Sequence, residues 1–229
     1  VIGAIGSGKS TMLRLMSGLY APVEGRVLID GLDASTVADD VLRRHVGYLP
    51  QDYRLVNGTL RDNLLLGLSD PGDDALMEAA NMTGLGQLIA DHPLGIDLPI
   101  AEGGRGLSGG QRVLAGLTRM FLADPGLWLL DEPTSNLDAE TEMRVLNALR
   151  AKIRDGATVV IVTHKPQLLN LTERLLVVAN GQVAMDGPTR EVIAQLSSNA
   201  QAKPAPAPAT TPTAPTVTTV KTVPVGGVA

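Results

Sequence analysis

One stretch near the start constrains the fold more than any other: Gly3-Ala4-Ile5-Gly6-Ser7-Gly8-Lys9-Ser10-Thr11. It fits G-x-x-x-x-G-K-[ST], a loop that follows a buried strand and opens a helix. Val1 and Ile2 supply the strand end. Met12, Leu13, Leu15, Met16 and Leu19 follow at helical spacing, with Gly18 near the helix end. Glycines at 3, 6 and 8 let the backbone turn tightly and bring bare N–H groups against phosphate oxygens. The helix N-terminus after the loop adds its positive end. The pattern gives Lys9 the β- and γ-phosphates and the Ser10 hydroxyl a Mg²⁺ ion; Ser7 and Thr11 complete the cradle. A chance Gly-rich turn is the alternative, and the strand–loop–helix context disfavours it.

At 229 residues the chain holds one substantial domain, with 44% hydrophobic and 19% charged residues suiting an α/β core. A net charge of −5 gives no electrostatic footprint for nucleic acid, and the absence of cysteine excludes disulfides and thiolate metal sites. No apolar run approaches the roughly 18 residues of a membrane span. The first residue is Val in mid-strand, as expected of a piece of a longer protein. From 199 to 229 the composition turns to Pro, Ala, Thr and Val, with prolines at 204, 206, 208, 212, 215 and 224. This predicts a disordered tail.

Between these ends, residues 25–31 read as a short strand, 41–44 as a short helix and 46–49 as another strand. From 59 to about 123 strand patterns vanish, and helical spacing at 60–66, 74–81 and 85–90 predicts a helical subdomain. Apolar strands at 127–130 and 158–163 flank a helix at 139–154. Residues 175–179 and 182–185, joined by Asn180-Gly181, predict a hairpin, and 189–196 a last helix. Strands alternating with helices imply an α/β fold with a mostly parallel sheet.

Two further stretches carry chemistry. The strand Leu127-Trp128-Leu129-Leu130 ends in Asp131-Glu132, then Pro133. Ligands of parallel sheets bind beyond the carboxyl ends of strands. Successive strand residues face opposite ways, so the two acids should do different work. Asp131 suits Mg²⁺, and Glu132 suits orienting and polarising a water. Leu107-Ser108-Gly109-Gly110-Gln111 then opens a helix, with Ser108 at the N-cap and two glycines leaving its start open to a second anion.

The loop at 3–11, the Leu107-to-Gln111 stretch, Asp131-Glu132, Ser135-Asn136-Leu137-Asp138 and His164 occur in an order and spacing that resemble the ATP-binding cassette of ABC transporters, over about residues 1–198. The resemblance implies a P-loop NTPase with a helical subdomain at about 59–123, ATP and Mg²⁺ as cofactors, and ATP hydrolysis. It assigns Gln51 to the lid, touching Mg²⁺ and water. Ser108, Gly109, Gly110 and Gln111 become the signature that binds the γ-phosphate held by a second cassette. Asn136 to Asp138 become a loop at the dimer interface, and His164 a switch on the γ-phosphate. His45 and His92 match nothing and are expected to be structural or surface residues.

Details point to exporters. Leu19-Tyr20-Ala21-Pro22 through Asp30-Gly31, and Gly58-Thr59-Leu60-Arg61-Asp62-Asn63, both resemble exporter patterns. Ala101-Glu102-Gly103-Gly104-Arg105-Gly106 resembles type I protein secretion ATPases. The expected partners are a second cassette and a transmembrane domain from an upstream part of the same chain, at the cytoplasmic face of a bacterial inner membrane, with no nucleic acid. The chain departs from the family at Val113, where Gln is common. It also lacks the segment before the loop that carries an adenine-stacking aromatic; Tyr20, Tyr48 and Tyr53 do not match that position. Other readings are a lipid, peptide or drug exporter cassette, a soluble ABC ATPase, or a non-hydrolysing regulatory cassette. The second would carry a coiled-coil insertion or a second cassette, and the third a substituted Glu132 or His164; neither feature is present.

Overall fold

Turn residues and apolar runs set the elements of the computed structural model, which describes residues 1–201 and 219–220, with side chains through residue 198. In chain order these are α1 (Lys9–Met16), β1 (Leu28–Ile29), β2 (Leu32–Asp33), α2 (Asp39–His45), β3 (Val46–Leu49), β4 (Gly58–Thr59), α3 (Leu60–Leu65), α4 (Asp73–Thr83) and α5 (Leu85–Asp91). There follow β5 (Pro99–Ile100), α6 (Gly109–Ala123), β6 (Leu127–Asp131), α7 (Ala139–Arg154), β7 (Thr158–Val162), α8 (Pro166–Leu169), β8 (Arg174–Ala179), β9 (Gln182–Pro188), α9 (Thr189–Gln201) and β10 (Thr219–Val220). The expected tail at 199–229 otherwise lies outside the described residues. Among them, no helix is long and apolar enough to cross a membrane.

The chain divides into two units. The first contains Val1–Val37 and the described residues from Val162 onward. Here Ile2 lies parallel to Val177: its N–H donates to Leu176 O at 2.9 Å and its carbonyl accepts from Val178 N–H at 2.8 Å. On the other side, Val1 O accepts from Thr163 N–H at 3.2 Å. The lead into the loop is thus held from both sides. Asn180 and Gly181 have φ of 51° and 75°, the left-handed pair that a two-residue hairpin turn requires, and join β8 to β9 in the expected hairpin. Leu13, Leu168 and Leu175 are fully buried and form its core with Val178 and Val192. The expected single strand at 25–31 is instead a tight hairpin. Asp30 and Gly31 have φ of 51° and 81°, so the chain reverses and pairs Ile29 with Leu32 and Leu28 with Asp33.

The second unit contains Ala38–Ile161. Its sheet has the order β3-β6-β7, and β3 runs parallel to β6 in the register Val46↔Leu127 to Leu49↔Leu130. Every residue of β6 is buried, as a central strand covered on both faces requires. Residues 60–123 carry the four helices α3 to α6, with α4 packing on α6 and α7. Thr83 and Thr118 meet between α4 and α6, hydroxyl to hydroxyl at 2.7 Å. Trp128 sets its ring edge-on to Phe121 of α6 at 5.0 Å. The expectation that strands vanish from 59 onward needs correction. Gly58 pairs with Ile100 and Thr59 with Pro99, a two-residue antiparallel ladder too short for periodicity to reveal.

Candidate functional site

In the first unit the glycines permit the loop geometry expected of them. A Cβ on Gly3 would stand 2.1 Å from Val178 O and 2.8 Å from Ser7 Oγ, so no side chain fits there. Gly8, at φ 102°, is the N-cap of α1 and supplies no side-chain cap, which leaves the first N–H groups of that helix for an outside acceptor. Lys9 is nine-tenths buried; its ammonium donates to Gly3 O at 2.7 Å and Ala4 O at 2.8 Å. The buried Ser7 Oγ has no hydrogen-bond partner within the protein. A cradle of uncapped N–H groups, a buried cation and an unpartnered hydroxyl fits an anionic ligand. Ser10 is half-buried at the helix start and Thr11 exposed.

His164, also in this unit, is exposed just beyond β7. Thr163 before it is buried, and its Oγ1 accepts from Lys165 N–H at 3.0 Å, shaping the turn that presents the imidazole. The Thr163–Val1 bond sets the stem of His164 beside the strand end feeding the loop.

The second unit holds the remaining candidates. Asp131 closes β6 and is 3% exposed. Glu132 is not the next residue of that strand: it sits at φ 51°, and its carbonyl accepts from Ser135 N–H at 3.0 Å. The expectation that strand alternation turns the two acids apart therefore needs correction: the strand ends at Asp131 and the backbone reverses at Glu132. Left-handed backbone at a non-glycine residue costs of order 1 kcal/mol or more and gathers at functional sites. Because Leu49 pairs with Leu130, Gln51 emerges, exposed, beside the end of β6 that carries Asp131.

Ser108 caps α6 as the sequence predicts. Its Oγ accepts from Gln111 N–H at 3.1 Å, and Gln111 Oε1 accepts from Ser108 N–H at 2.8 Å. The structure brings this helix start against the loop at 136–138. A Cβ on Gly110 would lie 2.6 Å from Asn136 O, and one on Gly109 3.5 Å from Asn136 Nδ2. Asn136 has φ 63°, which asparagine tolerates better than most side chains. Asp138 caps α7, accepting from Thr141 N–H at 2.9 Å and Thr141 Oγ1 at 2.8 Å. These bonds hold its carboxyl below the usual carboxylate range.

Ser10, Gln51 and Asp131, the expected Mg²⁺ residues, offer a hydroxyl, an amide and a carboxylate. These are hard oxygen donors suited to a Mg²⁺ that also takes water and phosphate oxygens. Of the unassigned histidines, His45 is exposed at the end of α2, and His92 Nδ1 accepts from Leu94 N–H at 3.2 Å. Asn63, to which the motifs assign no role, is 3% exposed and bonded to the backbone after Gln51. Its signal in the sequence is an amide in the first turn of a helix, just after a Thr/Asp capping box.

The family model described as ABC transporter matches residues 1–135, and one described as an AAA domain matches 105–170. The type I secretion system ATP-binding protein PrsD of Rhizobium meliloti is 37% identical over 196 residues, covering 86% of this chain and 34% of that protein. The mycobactin import ATP-binding/permease protein IrtB of Mycolicibacterium smegmatis is 39% identical over 189 residues, covering 82% of this chain and 32% of its own length. Among solved structures, a bacterial Atm1-family ABC exporter with ATP bound superposes with a TM-score of 0.79 at 31% identity, over 90% of this chain and 37% of that one. The chain spans about a third of the length of the curated relatives it matches.

Proposed function

This chain belongs to the ABC transporter family as an ATP-binding, ATPase domain, and from that premise we propose that it hydrolyses Mg-ATP to drive export across a membrane. The observation that carries the reading is the loop at 3–11, where a buried ammonium, uncapped helix N–H groups and an unpartnered hydroxyl converge. On this reading Lys9 exchanges its two carbonyl partners for β- and γ-phosphate oxygens. Gly3, Gly6, Ser7, Gly8 and Thr11 shape and line the cradle. Ser10, Gln51 and Asp131 hold Mg²⁺, which when bound neutralises charge on the phosphate oxygens. Glu132 orients the attacking water and takes its proton, and His164 contacts the γ-phosphate.

Ser108 to Gln111, with Asn136 and Asp138, serve the ATP held by a second cassette. One ATP then needs two chains, each giving a different half of the site, an isologous arrangement with two sites per dimer. The proposed setting is the cytoplasmic face of a bacterial inner membrane, beside a transmembrane domain that reads the cargo. Within the exporters we favour type I secretion, supported by the pre-signature stretch at 101–106 and by a relative named for that system.

Phosphate release from Mg-ATP, for the chain and for Glu132→Gln, tests this. Turnover should fall about 10²- to 10⁴-fold, the range of general-base contributions, with ATP affinity retained. Turnover of the variant at the parent rate would reject the role of Glu132.

A further inference from the structure

Residues 50–57, which begin with the exposed lid Gln51, form no regular structure, so their backbone groups need partners from elsewhere. Asn63 supplies those of Val56. Its Oδ1 accepts from Val56 N–H at 2.8 Å, and its Nδ2 donates to Val56 O at 3.0 Å and to Thr59 O at 2.8 Å. One amide thus satisfies both polar groups of Val56, as a neighbouring strand would. The same stretch is tied onward by three backbone contacts. Leu55 O accepts from Gly103 N–H at 2.9 Å, Leu60 N–H donates to Leu98 O at 3.0 Å, and β4 pairs with β5. Those partners lie in 98–104, directly before the signature at 107–111. Tyr53 and Leu49 also press on α6 where Gly116 leaves room; a Cβ there would come within 3.0 Å of the Tyr53 ring and 2.5 Å of Leu49 Cδ1.

We propose that Asn63 is a positioning residue that makes residues 53–59 one rigid piece with 98–104, so that the lid segment and the approach to the signature move together. Gln51 and Asp52 stay exposed and outside that piece. A loop without the Asn63 bonds would absorb a displacement of the lid; with them, the displacement reaches the start of α6. The link is a property of the fold. Its effect on turnover rests on Gln51 and Ser108 serving ATP as proposed above.

Residue-resolved hydrogen exchange on the chain tests the link without any substitution. The amides of Val56, Leu60 and Gly103 should open as one group with similar protection; clearly separate protection overturns the proposal. Asn63→Asp keeps the shape but presents acceptors to the carbonyls of Val56 and Thr59. Opening of both 53–59 and 98–104 should then rise about tenfold to a hundredfold, as when buried donors lose partners. Loosening confined to 53–59 overturns the link. In the same variant kcat should fall about tenfold or more while the ATP Kd stays within about twofold, a split that general destabilisation does not give. An unchanged kcat in a loosened variant overturns the positioning role. A parent chain without ATPase activity counts against the function proposed above, and the exchange results still decide the link.

Discussion

Adjacent glycines at the signature should respond in opposite ways to the same added methyl group. Gly110→Ala places a Cβ 2.6 Å from the carbonyl oxygen of Asn136 and 3.3 Å from Leu137 Cδ2. Neither the backbone at 136, at φ 63°, nor the start of a capped helix yields easily. Overpacking of this kind costs about 1–3 kcal/mol, and the helix preference of alanine over glycine returns about 0.5–1 kcal/mol. Because the overlap is with backbone, the upper part of that range applies, and the net loss is about 1–2.5 kcal/mol, or about 2–10 °C in Tm for a chain of this size. Gly109→Ala meets its nearest atom, Asn136 Nδ2, at 3.5 Å, an ordinary contact. With less freedom to lose on folding, it should be neutral or gain up to about 1 kcal/mol. Trp128 reports both melts: it is the sole tryptophan, fully buried, and edge-on to Phe121 of the helix that Gly110 opens. A Gly110→Ala chain that melts at or above the parent, or both variants shifting together, would refute the close approach between signature and 136–138.

Other outcomes follow from single contacts. Lys9→Ala should abolish ATP binding in calorimetry, since it removes the buried ammonium of the loop; an unchanged affinity would contradict the assignment. Thr83→Val and Thr118→Val each break the hydroxyl pair at 2.7 Å and should cost about 1 kcal/mol, with the double variant costing less than the sum; additive losses in denaturant titrations would show that the pair is not coupled. Arg174 donates twice to Asp186, at 2.6 Å each, and holds its carboxyl below the usual range. A depressed folded-state pKa stabilises above the unfolded pKa, and that gain is lost as pH falls through the folded value. Asp186→Asn should therefore trail the parent at neutral pH by less than about 1 kcal/mol, as for an exposed pair, and the gap should close on acidification; a gap that widens in acid would reverse the sign.

Much of this molecule is written locally. The loop at 3–11, the buried run into Asp131 and the Asn180-Gly181 turn each carry their signal within a few residues, and the structure places them as strand end, central strand and hairpin. What escaped depends on residues far apart. Two-residue strands at 28–29, 32–33, 58–59 and 99–100 carry no period, so a tight hairpin reads as one strand and a ladder among helices leaves no pattern. At the site, residue types announced themselves but backbone states did not. Nothing in Asp131-Glu132 states that the chain reverses between them, nor does Gly110 announce the carbonyl against it. Asn63 escaped because its partners are main-chain groups, which look alike in every sequence.

We propose that one ATP is shared by two chains, the loop at 3–11 of one and Ser108 to Gln111 of the other. Light scattering of Glu132→Gln in saturating Mg-ATP tests it most directly, because the amide keeps the shape of the site while stalling cleavage. A shared site gives a dimer with ATP, a monomer with ADP, and loss of the ATP dimer when Ser108→Arg fills the phosphate seat at the signature. A Glu132→Gln chain that stays monomeric in saturating Mg-ATP would contradict it.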